Sequence, residues 1–163
     1  MKNIRILPLI FLALAFLSSC EKDETIDLEK PVIDLSIPGA FPVNCDTLYF
    51  GESFEFNVLF SDNAELGSFS IDIHNNFDHH SHSTEVTECD LDPMKEPVNP
   101  FLFIEDYAIS EEVNELETNR PIFIPAGDDD GLYDEGDYHF FISLTDKEGW
   151  SDQIGLSIKI LHR

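Results

Sequence analysis

The stretch Ser53-Phe54-Glu55-Phe56-Asn57-Val58-Leu59-Phe60 decides the fold class, because Phe54, Phe56, Val58 and Phe60 fall on one face of an extended chain. A period of two is the mark of a half-buried strand. The turn-rich break Ser61-Asp62-Asn63-Ala64-Glu65-Leu66-Gly67 follows, and the alternation resumes with Phe69, Ile71 and Ile73 on one side and Ser70, Asp72 and His74 on the other. Further along, Tyr138, Phe140, Ile142 and Leu144 alternate, the chain turns at Asp146-Lys147-Glu148-Gly149, and Ile154, Leu156, Ile158 and Ile160 form a last strand. Pro121 to Pro125 brackets a short apolar strand, Phe101 to Ile109 reads as another, and Glu111 to Glu117 as a short helical turn. Short strands broken by turn residues, with no internal repeat, predict an all-β antiparallel sandwich.

Two local patterns refine this. Gly136-Asp137-Tyr138-His139-Phe140 resembles the tyrosine corner of immunoglobulin-like sandwiches, in which a tyrosine opening the second-last strand ties back to an upstream loop. The hairpin Leu144-Thr145-Asp146-Lys147-Glu148-Gly149-Trp150 is similar to the final hairpin of bacterial immunoglobulin-like and cadherin-like modules. The expectation is an immunoglobulin-like β-sandwich of about seven strands with a long histidine-rich loop; another Greek-key sandwich or a jelly roll is the alternative.

The N-terminus carries an address. Lys2 and Arg5 precede an apolar run from Ile6 to Phe16, which is too short to span a bilayer and fits a secretory signal. The run ends in Leu17-Ser18-Ser19-Cys20, which resembles the lipobox of bacterial lipoproteins and implies acylation, palmitate included, of Cys20. Glu21-Lys22-Asp23-Glu24 resembles the signal that sends Bacteroidetes lipoproteins to the cell surface. The reading is therefore a signal peptide over 1–19, a lipidated cysteine and flexible tether over 20–30, and one domain over 31–163. Its place is the outer membrane, lipid-anchored and facing the cell surface, with the periplasmic face as the alternative.

A net charge of −24 sets aside nucleic-acid partners, which need basic contacts. A strong negative field raises the local concentration of cations instead. Cys45 and Cys89 are the two other cysteines, and in an oxidising exported compartment they are read as a disulfide, with free thiols or metal ligation as alternatives.

From Asn75 to Asn99 strand signals are weak, and a loop of that length is uncommon unless it is functional. It opens with His74-Asn75-Asn76-Phe77-Asp78-His79-His80-Ser81-His82, four of the six histidines. In an extended chain His80 and His82 share a face; in a helix His79 and His82 do. His74 and His139 both point outward from strands that neighbour each other in an immunoglobulin-like sheet. Asp72 or Asp78 can supply an oxygen ligand or fix a ring tautomer. The predicted ligand set is His74, His79, His80, His82 and His139, and imidazoles of this kind take zinc or copper. Calcium at the acidic run Asp128-Asp129-Asp130-Gly131-Leu132-Tyr133-Asp134-Glu135-Gly136-Asp137 is the weaker alternative, since its glycine does not sit where an EF-hand requires. No hydrolase elbow, HExxH motif, phosphate loop or cofactor fingerprint is present, so no enzymatic role is expected.

Taken together, Phe60-Ser61-Asp62-Asn63 through Gly67, the run from His74 to His82, Gly136 to Phe140 and Asp146-Lys147-Glu148-Gly149-Trp150 resemble an uncharacterised family of small Bacteroidetes lipoproteins. The resemblance spans roughly residues 31 to 160 and implies an immunoglobulin-like lipoprotein domain with no assigned activity. Two roles follow. One is a non-catalytic metal-binding surface lipoprotein. The other is an interaction module, accessory to an outer-membrane transporter or adhesin-like, whose histidines only shape a loop.

Overall fold

The computed structural model describes residues 27–81 and 89–163, so the stretch read as a signal peptide, Cys20, most of the stretch read as a tether and His82 lie outside the described residues. The chain forms β1 (Val32–Asp34), β2 (Thr47–Tyr49), β3 (Ser53–Phe56), β4 (Leu59–Ser61), β5 (Leu66–Asn75), β6 (Phe103–Ala108), β7 (Glu115–Glu117) and β8 (Arg120–Phe123). The short pair β9 (Gly127–Asp128) and β10 (Gly131–Leu132) precedes the long strands β11 (Gly136–Asp146) and β12 (Ser151–Leu161). One layer is a five-stranded sheet in the order β2-β12-β11-β5-β6, antiparallel except for the parallel β2–β12 edge. Facing it are β1-β4-β7 and β3-β8. The fold is an all-β sandwich.

The alternating residues build the interior. Phe56 and Phe60 of one layer meet Phe69 and Phe140 of the other, with Phe56 stacked 5.9 Å from Phe69 and 6.1 Å from Phe140, and Phe60 5.1 Å from Phe69. Such pairs add about 0.5–1.5 kcal/mol each beyond the area they bury. Tyr138 closes the predicted corner: its hydroxyl donates to Asp134 O at 2.6 Å and accepts from Phe101 N at 3.2 Å. Burial of that hydroxyl pushes its pKa well up.

Two expectations change. The stretch Ser53 to Phe60 keeps its alternation, but it changes partner midway, β3 pairing with β8 and β4 with β1 and β7, so more than seven short strands result. The helical turn over Glu111 to Glu117 does not form. Glu112 takes a left-handed φ of 62°, and Leu116 packs toward the core between exposed Glu115 and Glu117, which is strand alternation. Within the stretch read as a tether, Asp27 is buried and accepts from Asn63 Nδ2, while its carbonyl accepts from Trp150 Nε1.

Candidate metal centre

In the register of β5 and β11, His74 lies directly opposite His139. Both alternate with core residues, Ile73 on β5 and Tyr138 and Phe140 on β11, so both imidazoles leave the sheet on its outer face. Yet His139 is fully buried. The reason is the segment that follows β5, which folds back over this face.

Several contacts hold it there. Asn76 N donates to Asp137 O at 2.8 Å, continuing the ladder for one residue past the strand. A tight turn then reverses the chain, closed by His79 N donating to Asn76 O at 3.2 Å, with His79 in the left-handed region at φ 57°. Phe77 is driven into the core edge, its ring 5.4 Å from that of Tyr138. Further on, Asp92 N donates to Asp137 Oδ2 at 2.7 Å, and Lys159 bridges Asp92 at 2.5 Å and Asp137 at 3.3 Å. Cys89 is joined to Cys45, whose N–H donates to Ser157 O within β12.

The fold-back carries His80 onto the two strand histidines. One ring nitrogen from each of His74, His80 and His139 lies within 4.8 Å of the others. The ring centroids are 4.7 Å apart for His80–His139, 5.3 Å for His74–His139 and 5.8 Å for His74–His80. Each ring also has a nitrogen engaged elsewhere. Asp72 Oδ1 sits 2.7 Å from His74 Nδ1, Asp78 Oδ1 lies 2.5 Å from His80 Nδ1, and His139 Nε2 reaches His80 O at 3.1 Å. Donation of an N–H to oxygen sets the tautomer and puts the lone pair on the opposite nitrogen, the usual state of a metal-bound imidazole. The His80 ring holds the Asp78 carboxyl below the ordinary range. Aspartates 72 and 78 therefore orient rings; they are not among the converging ligand atoms.

Phe141 walls the group, stacked 5.7 Å from His74 and tilted at 45° to His139 at 5.8 Å. It fits because the residue opposite is Gly155, where a Cβ would come within 2.5 Å of its ring. Neither residue is among those the sequence singles out; an isolated glycine inside the last strand's alternation is the signal that points there.

The remaining predicted ligands part ways. His79 does not join the group: its Nε2 donates to Asp92 O at 2.8 Å, and its backbone makes the turn that lets its neighbour His80 swing inward. His82 lies outside the described residues. The acidic run 128–137 forms no group of three ligands among the described residues. Its carboxylates brace loops instead: Asp128 accepts from Asp130 N and Asn99 Nδ2, and Asp134 from Val98 N and Asn99 N.

The chain belongs to a family described as a domain of unknown function (DUF4625), whose model matches residues 18–161. No curated protein matches its sequence.

Proposed function

We propose that this member of a family without assigned activity is a membrane-anchored, cell-surface lipoprotein domain that takes up zinc or copper through His74, His80 and His139 and does not catalyse a reaction. The observation that supports it is the meeting of three imidazoles from β5, β11 and the fold-back segment, each with its tautomer set by a carboxylate or carbonyl. Bringing such rings to the 2.0–2.1 Å bonds of zinc needs side-chain rotation of about an ångström, not a change of fold. His80 stands on the exposed side of the group, where an ion would enter, and the acidic surface concentrates cations around it.

Calorimetric titration of the chain lacking residues 1–20 tests this reading. One zinc or copper ion per chain is expected. Substituting His74→Ala and His80→Ala together should weaken binding by at least about 100-fold, because even groups behind a ligand are worth 10–100-fold. His79→Ala should leave affinity unchanged. Full-strength binding in the double variant would sink the metal role and favour the interaction module. For the anchor, Cys20→Ser should abolish incorporation of labelled fatty acid in cells; labelling that persists would refute lipidation at that residue.

A further inference from the structure

At the other end of β11 the protein gathers a second set of donors. Asp27, Asp62 and Asp146 each bring one carboxylate oxygen to within 4.8 Å of the other two. Asp27 and Asp146 are only 8% and 4% exposed. Asp62 opens the turn after β4, and Asp146 sits where the β5–β11 register slips between Thr145 and Asp146. A bulge of this kind re-aims the side chain it carries.

The two oxygens of each carboxylate have different surroundings. Asp27 Oδ1 accepts from Glu29 N at 3.0 Å and Asn63 Nδ2 at 2.8 Å. Asp146 Oδ1 accepts from Gly149 N at 2.6 Å and Trp150 N at 2.8 Å, and Asp62 Oδ2 from Ala64 N at 2.7 Å. The opposite oxygens, Asp27 Oδ2, Asp62 Oδ1 and Asp146 Oδ2, are buried and have no hydrogen-bond donor among the described residues. Buried carboxylate oxygens without donors are costly, and three close together repel one another. Lys147, a nearby cation, pairs with Glu65 at 3.7 Å instead. A cation held among the three donorless oxygens would offset both costs.

We infer that Asp27, Asp62 and Asp146 form a calcium site that fastens the N-terminal segment to the end of the sandwich. The donor set is all oxygen, which suits a hard ion and excludes the preferences of zinc or copper. Calcium needs six to eight oxygens, so waters or carbonyls complete the sphere, and affinity belongs in the range of about 10⁻⁴–10⁻³ M typical of extracellular modules.

The chain supplies its own reporter. Trp150 is the one tryptophan, and its indole N–H donates to Asp27 O at 3.1 Å. The test uses the full-length chain purified in detergent and stripped with EDTA. Terbium is added as the probe, and its luminescence is read on exciting Trp150. Saturable emission is expected, displaced by calcium at about 0.1–1 mM. Asp62→Asn and Asp27→Asn should each weaken terbium binding at least tenfold; the amide oxygen still accepts the turn hydrogen bonds, so folding survives. Asp128→Asn, in the acidic loop, should change nothing. Absence of sensitised emission, or emission that calcium does not displace, overturns the assignment. So does full emission in both site variants.

Discussion

Gly155→Ala probes the wall of the histidine group without touching a ligand. The added Cβ would lie 2.5 Å from Phe141 Cε1 and 3.1 Å from Cδ1. Carbon atoms pack best at about 3.5–4.0 Å, so the ring edge must retreat by about 1 Å. It has little room, since Phe141 is 6% exposed and lies stacked on His74 at 5.7 Å and 16°. Overpacking of this sort costs about 1–3 kcal/mol, and with backbone on one side and an imidazole on the other we expect about 2 kcal/mol. In a domain of this size that lowers Tm by about 6–8 °C. Urea unfolding of metal-free protein, followed by circular dichroism, measures the cost. The same substitution in a Phe141→Leu background closes a double-mutant cycle. Leucine removes the ring edge, so Gly155→Ala should then cost about 0.5 kcal/mol or less, a coupling of at least about 1 kcal/mol. Zinc affinity should fall in Gly155→Ala as His74 is pushed off its stack. An equal cost in both backgrounds would refute the reasoning, since the clash would then lie elsewhere.

Tyr138→Phe keeps the ring against Phe50 and Phe77 but strips the hydroxyl from Asp134 O and leaves the buried Phe101 N–H unpaired. Its cost should be about 2–3 kcal/mol by urea unfolding, and a loss under about 0.5 kcal/mol would show that the corner does not bear on stability. Opening the disulfide with Cys45→Ala and Cys89→Ala frees a loop spanning a sequence separation of 44 and should cost about 4 kcal/mol by the chain-entropy model. It should also weaken zinc binding, because the segment that carries His80 loses one of its fastenings; unchanged affinity would show that Asp92, Asp137 and Lys159 suffice to hold it.

The sheet positions were legible in the sequence because a strand's side chains have a fixed period. Once Tyr138 is assigned inward, His139 must leave on the other face, and the adjacency of its strand to β5 sets it against His74. What lies over that face was not legible. Residues 76–95 have no period to read, and whether His79 or His80 turns inward depends on one left-handed residue and on tertiary anchors such as Asp137 with Asp92. Spacing alone offered pairs such as His80 with His82, which lies outside the described residues; it could not show that the fold-back brings His80 to His139, 59 residues further along the chain. The short strands of the second layer blurred for a related reason. Ser53 to Ser61 is extended throughout, so its alternation is plain, but the exchange of partners near Asn57 leaves no mark on the period. The aspartate trio was hidden more deeply, since Asp62 and Asp146 both look like ordinary turn residues and Asp27 like part of a tether.

Both donor sets depend on β11. His139 stands near its start and Asp146 at its end, seven residues apart, which is about 23 Å at the rise of an extended strand. Between them Phe140, Ile142 and Leu144 are fixed in the core, and both neighbouring strands are paired along the whole interval, so the spacing is rigid. The chemistry at the two ends differs: imidazole nitrogens at one, carboxylate oxygens at the other, which sorts borderline transition ions from calcium. Charge at one end reaches the other only weakly, because about 23 Å is nearly three screening lengths at physiological salt. Sites so separated and without shared partners should be energetically independent. Asp62→Asn should therefore leave zinc affinity untouched, and His80→Ala should leave terbium luminescence untouched. A change in either cross-measurement beyond about 0.5 kcal/mol would mean that the fold-back segment and the final hairpin move together, which a strand held on both sides does not allow.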